Sequence, residues 1–218
     1  MSDFVHLHLH SEYSLLDGAC RIKDIPQIAA ENGHTAVAIT DHGVMYGVIE
    51  FYNACKSAGI KPIIGCEVYV ADRSRFDRMG HPNHLVLLCK DMTGYRNLIY
   101  MVSKGFTEGF YSKPRIDLEL LKEHSEGLIA LSACLSGKIP KLLLDGRYDE
   151  AKEFAETMLG IFGKEDFYIE LQNHGLSDQM RVLPQLERIA RELDIKMVAT
   201  NDCHYMRRSD AKTQETLV

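Results

Sequence analysis

Residues 6–10 read His-Leu-His-Leu-His, and an Asp-x-His pattern stands near the other end as Asp202, Cys203 and His204. Imidazole, carboxylate and thiolate are the side chains with which proteins hold zinc, iron and manganese. On an extended strand His6, His8 and His10 share one face, and each step of two residues advances about 6.6 Å. His6 and His10 then lie roughly 13 Å apart, too far for one compact cluster. The spacing therefore predicts His8 and His10 as ligands and His6 as a buried, hydrogen-bonded histidine. A single histidine in such a run would read as a satisfied core residue. Two at a strand's end, with Asp-x-His at 202–204, point to metal.

The elements that must position these groups follow from hydrophobic period. Short apolar runs rich in β-branched residues predict strands over 5–9, 37–40, 61–70, 85–89, 128–131, 167–171 and 196–199. Helical patterns fall between them over 25–31, 46–58, 94–104, 148–162 and 178–193. In the fourth helix Ala151, Phe154, Ala155, Met158 and Ile161 or Phe162 recur at the spacing of one buried face. Thr93, Ser136 and Ser177 occupy N-cap positions. Such alternation predicts an α/β chain of parallel strands with helices outside, either a barrel or a doubly wound sheet. No linker, repeat or composition shift divides it, so residues 1–218 read as one domain. The segment 209–218 starts another helical pattern and stops, as a domain cut from a longer chain would.

In parallel β/α folds, ligand and catalytic groups collect at the carboxyl ends of the strands, where the loops converge. After the first predicted strand come His8, His10 and, a turn later, Asp17; after the second come Asp41 and His42. The third carries Cys66 and Glu67, His84 borders the fourth, Cys134 follows the fifth, and Asp202 and His204 follow the seventh. Nine ligand candidates result: His8, His10, Asp17, His42, Glu67, His84, Cys134, Asp202 and His204. A single zinc takes three or four protein ligands. Nine, with a carboxylate bridging, suit two or three divalent ions, and clusters with metals about 3.5–4 Å apart serve phosphoester hydrolysis. Asp17, Asp202 and His204 are the candidates for catalytic roles beyond ligation.

Other reactive side chains take plainer readings. Alternation turns Cys203 away from its neighbours 202 and 204, and Cys66 is masked by Glu67, so both read as packing. Cys20, Cys55 and Cys89 read as small buried hydrophobes. His34, His81 and His124 have no partner at matching positions and read as surface residues. Asp41 is either a ligand or the group that orients His42, and His174 reads as lying outside the site. A nucleophilic role for Cys134 would need a paired base; ligation fits its neighbours better.

Composition narrows the class. The 218 residues include 45% hydrophobic and 26% charged side chains, which excludes disorder, collagen and coiled coil. No apolar run approaches the roughly 18 residues of a membrane helix, and the N-terminus lacks the basic and apolar regions of a signal peptide. The expectation is a cytoplasmic protein whose six cysteines are reduced thiols or ligands. No CxxC pair is present, which excludes a zinc ribbon or thioredoxin-like site.

The motifs HLHLHSEYSLLDGA, AITDHGVMYGVIEFYNACKSAGIKPIIGCEVYV, HLVLL, LSACLSG, YIELQNHGL and ATNDCHY together resemble the PHP (polymerase and histidinol phosphatase) domain over essentially the whole chain. The nearest resemblance is to PHP domains at the N-terminus of bacterial replicative DNA polymerases. It implies a distorted, TIM-barrel-like (β/α)7 barrel with a trinuclear metal site at the C-terminal ends of the strands. The family's nine ligand positions fall on the nine residues named above, with no departure. Members with the full set are associated with 3′→5′ exonuclease activity, which implies a DNA 3′ end as substrate. Implied partners are the remaining polymerase domains and a separate proofreading subunit.

A net charge of −6 is unusual for a DNA partner, since phosphate contacts come from Lys and Arg. Three divalent ions and a Cys134 thiolate would bring it close to neutral and concentrate positive charge at the mouth. Arg73, Arg75, Arg78, Lys113 and Arg115 are further candidates for phosphate contact, each also readable as a solvated loop charge. Two alternatives stay open: a metal-stabilised scaffold without significant catalysis, and a free-standing phosphatase of the histidinol-phosphate type.

Overall fold

The protein is described by a computed structural model covering residues 4–15 and 17–218. The strands are β1 Ala36–Ile39, β2 Lys61–Val70, β3 Asn83–Cys89, β4 Phe110–Tyr111, β5 Lys113–Ile116, β6 Leu128–Leu131, β7 Phe167–Leu171 and β8 Lys196–Ala199. The helices are α1 Ile25–Glu31, α2 Val48–Ala58, α3 Met92–Thr107, α4 Leu118–Glu123, α5 Lys138–Leu144, α6 Tyr148–Phe162, α7 Ser177–Glu192 and α8 Ala211–Leu217. No described helix is long and apolar enough to cross a membrane.

The sheet runs β4-β5-β2-β3-β6-β7-β8, with β1 beside the first half of β2. The first predicted strand is not a regular one. Residues 4–10 are extended and close the barrel between β1 and the chain after β8. Ala38 N donates to His6 O (2.8 Å), Thr40 N to Leu9 O (2.9 Å), Cys203 N to His8 O (3.1 Å) and His10 N to Cys203 O (2.8 Å). Regular pairing fails because Leu9 N donates to the Thr40 hydroxyl instead of a carbonyl. With this segment, β1, β2, β3, β6, β7 and β8 form a distorted (β/α)7 barrel.

The sequence predicts parallel strands, but not all of them are. β3 pairs antiparallel with both β2 and β6. Its amino end therefore faces the mouth, which is why His84, second residue of β3, lies level with carboxyl-end residues of the other strands. The period of two sorts the layers. Cys66, Val68 and Val70 of β2 join Leu85, Leu87 and Ala130 in the core beneath α3 to α7. Glu67 and Tyr69, on the other face, turn to the mouth. Ala38, Val86, Leu88 and Leu131 fill a separate apolar cluster.

Helix signals were partly misplaced. The N-cap of α3 is Asp91, whose carboxylate accepts from Thr93 N and Gly94 N; it satisfies two donors where a Thr93 hydroxyl would reach fewer. Gly137 and Leu176 precede α5 and α7, so Ser136 and Ser177 are not caps. On α6 Ala151, Ala155, Met158 and Phe162 are buried, the face the spacing predicts.

Candidate metal centre

All nine predicted ligands meet at the barrel mouth, and Glu67 stands at their centre. Its side chain has no solvent exposure. Its Oε1 lies 3.3 Å from His8 Nε2 and 3.0 Å from His84 Nδ1, and its Oε2 lies 2.6 Å from His42 Nδ1 and 3.6 Å from His10 Nε2. Cys134 Sγ is 3.9 Å from Glu67 Oε1 and 3.8 Å from His84 Nδ1. Asp202 Oδ1 lies 3.2 Å from both His8 Nε2 and His10 Nε2, and 3.6 Å from His204 Nδ1. Asp17 Oδ2 is 3.0 Å from His42 Nε2. The rings of His10 and His204 stack at 4.3 Å.

These atoms approach one another without satisfying one another. His8 Nε2, His10 Nε2, Asp17 Oδ1, His42 Nδ1, Glu67 Oε2 and Asp202 Oδ1 are all buried and form no well-aligned hydrogen bond, close as several of them stand to one another. Buried polar atoms are normally paired, at a cost of about 1–3 kcal/mol each if they are not. Six orphans aimed at one space fit cations. Three sets have atoms close enough to share an ion: His10, His42 and His204; His8, His10 and Glu67; His42, Glu67 and His84.

A second layer of residues holds the ligands, and sequence reasoning missed most of it. His8 Nδ1 bonds Glu170 Oε1 at 2.7 Å, and Glu170 in turn accepts from Gln172 Nε2 and the Thr200 hydroxyl. A carboxylate on the far nitrogen of a ligating imidazole fixes its tautomer and raises its basicity. The available signal was a glutamate inside the apolar strand run FYIEL, a buried charge that needs a reason. Ser14 is the other omission: its hydroxyl lies 3.0 Å from His10 Nδ1 and accepts from His42 N. Asp41 accepts from Ser11 N, Ser11 Oγ and Ser14 Oγ, so it braces this loop and acts on His10 through Ser14.

Backbone strain aims two of the candidates. Asp202 has φ 46 and Ala133, just before Cys134, has φ 65. Left-handed backbone is unusual for residues other than glycine and collects at functional sites.

Electrostatics follow from packing. Burial opposes the charge on Glu67, but His8, His42 and His84 override it and hold the carboxyl well below its usual range. Burial also opposes a charged His42, yet Asp17 and Glu67 raise it to about 9. Burial pushes His10 down to about 4 and pushes the Cys134 thiol up, with Glu67 and Asp202 adding to the effect. A bound cation would reverse the pressures on His42 and Cys134 and reinforce that on His10, because it favours the neutral imidazole and the thiolate.

Several plainer readings hold and some do not. His174 is exposed and bonds Gln179, with none of the nine candidates among its partners. Cys66 is buried and donates to Asp41 O. His6 sits 3.4 Å from Cys203 Sγ but is only partly buried, not fully as expected. His34 is not a free loop residue, because its ring packs on His6 at 5.1 Å. His124 likewise packs on Tyr100 at 4.4 Å. Cys89 is only partly buried. Arg75 is bound by Glu108, Asp117 and Glu119, and Arg115 is 2% exposed, so neither is a solvated loop charge.

The PHP domain family model matches residues 6–174, and the chain belongs to the PHP domain family. It is 49% identical over 220 residues to the DNA polymerase III subunit alpha of Treponema pallidum, covering 99% of this chain and 19% of that protein. It is 48% identical to the DNA polymerase III subunit alpha of Thermus aquaticus, covering 99% of this chain and 18% of that one. The chain thus spans about a fifth of the length of these relatives. Among solved structures it resembles a candidate metal-dependent phosphoesterase from Bifidobacterium adolescentis, with TM-score 0.59, 15% identity, and coverage of 94% and 89% of the two chains. An amidohydrolase from Chromobacterium violaceum gives TM-score 0.56, 17% identity, and coverage of 98% and 96%. At such identities the likeness concerns the fold alone.

Proposed function

We propose that this chain is the metal-dependent phosphoesterase domain of a bacterial DNA polymerase III alpha-type polymerase and hydrolyses DNA phosphodiesters from the 3′ end. The observation that carries the reading is the set of six buried, unpartnered polar atoms at the mouth. His8, His10, Asp17, His42, Glu67, His84, Cys134, Asp202 and His204 would hold two or three divalent ions, drawn from zinc, manganese and iron. Such ions neutralise phosphoryl charge and lower the pKa of water.

The chain's own residues supply the rest. Asp202, its side chain 16% exposed, faces both the buried imidazoles and the solvent. It orients the attacking water and takes its proton. Asp17 and His204 stand at the outer edge, with side chains 34% and 24% exposed, where the departing 3′ nucleotide would pass. Glu67 and His8 form the closed floor. Residues 1–218 are read as one domain in a cytoplasmic setting with a separate proofreading subunit as partner, and the relatives, about five times longer than this chain, support further polymerase domains beside it.

The test is a side-by-side assay with added manganese or zinc. End-labelled single-stranded DNA should shorten from its 3′ end, with little release of phosphate from histidinol phosphate. Preferential attack on the small monoester would transfer the reading to a free-standing phosphatase.

A further inference from the structure

Five cations were candidates for phosphate contact, and packing removes two of them. Arg75 is engaged by three carboxylates. Arg115 is buried, its Nε bonded to Gly109 O and its guanidinium 5.2 Å from the Tyr111 ring. Lys113 differs from both. It is exposed and has no carboxylate partner among the described residues. Its ammonium stands over the Tyr69 ring, whose centroid lies 5.3 Å from Nζ.

That contact fixes where the charge stands. Tyr69 is 5% exposed, and its ring lies 5.2 Å from His84 and 6.0 Å from His42. β5 pairs in parallel with the end of β2, Tyr69 opposite Arg115. The β4–β5 hairpin also presses on the loop after His42: a Cβ on Gly43 would meet Pro114 Cγ at 2.8 Å. The hairpin is therefore a rim of the mouth, beside two predicted ligands. It also exposes two aromatic side chains, Phe110 at 55% and Tyr111 at 46%. An unpaired cation with neighbouring aromatics is how proteins track single strands: charge to phosphate, ring to base.

We propose that Lys113 is a positioning residue that binds a backbone phosphate of the single-stranded DNA entering the site, with Tyr69 beneath it as a cation–π support. This rests on the phosphodiesterase reading above. A sequence-independent contact suits it, because an exonuclease must accept every base.

The experiment compares wild type, Lys113→Ala and Lys113→Arg as full chains. Fluorescence anisotropy with 5′-labelled oligothymidine and steady-state cleavage are measured across a salt series. Losing one charge-assisted contact should raise both Kd and KM about 10-fold with kcat little changed. The slope of log Kd on log salt should shrink by about 0.7, one phosphate on a single strand. Lys113→Arg should restore most of the affinity. If wild type binds and cuts DNA while Lys113→Ala keeps its KM and salt slope, the inference fails and the phosphodiesterase reading stands. A fall in kcat and Tm with an unchanged salt slope marks a structural role and also overturns it. If wild type neither binds nor cuts single-stranded DNA, both fall together.

Discussion

His8 and Glu170 lie 162 residues apart in sequence and share a 2.7 Å hydrogen bond in which neither side chain is exposed. The bond occupies His8 Nδ1 and leaves Nε2 aimed at Glu67 and Asp202. Replacing Glu170→Gln keeps the shape but removes the negative charge that raises the ring's basicity. Metal affinity should fall roughly 10- to 100-fold, the range for partners of ligating histidines. Competition against a chelator of known affinity measures this, and an unchanged affinity would deny Glu170 the role.

Metal uptake should displace protons. A ligating imidazole must be neutral and a ligating thiol ionised. Asp17 and Glu67 hold His42 at about 9, and burial holds the Cys134 thiol high. At pH 7 binding therefore expels protons, and apparent affinity should drop about tenfold for each one with every unit by which pH falls. Calorimetric titration in two buffers of different ionisation enthalpy should give different heats. Equal heats would mean no proton is released.

The chelated chain should show the opposite pH trend in stability. His42 is raised above its unfolded value of 6.5, so its contribution is fully present below 6.5 and is lost as pH rises through about 9. Thermal melts in chelator across pH 6 to 10 should show this loss reduced in His42→Gln.

Gly43 adopts φ 63, and a Cβ there would sit 2.8 Å from Pro114. Gly43→Ala should cost about 1–2 kcal/mol, backbone strain plus overpacking, and displace the β4–β5 hairpin from the loop carrying His42. A melt read beside the DNA assay should show KM worsening more than kcat. An unaltered Tm and KM would mean that the hairpin is free of that loop.

Much of the site was legible because its ligands sit where strands end. His8, His10, His42, Cys134, Asp202 and His204 need no more than an alternation of elements to be brought together. The direction of β3 was not legible, since a period of two reads the same either way along a strand. Its clue was His84 preceding its apolar run, where His42, Cys134, Asp202 and His204 each follow one. The β4–β5 hairpin escaped because FYSKPRI is too short and too broken by Pro114 to show a period. Glu170 escaped because searching strand ends overlooks a ligand's partner in mid-strand. Asp91 as the α3 cap escaped because Thr93 offered a plausible cap two residues later.

The central claim is that the mouth is a catalyst and not only a metal-stabilised scaffold. Asp202→Asn tests it most directly, because it keeps the side chain's size while removing the charge that accepts the water's proton. Loss of an ion would also lower stability by mass action, so exonuclease rate, metal content and Tm must be read on the same preparation. The account predicts a rate lower by at least about 100-fold, on the order of 2.7 kcal/mol in the barrier, in a chain that stays folded and retains metal. Equal faint nuclease activity in wild type and Asp202→Asn would contradict it and leave the nine residues a structural role.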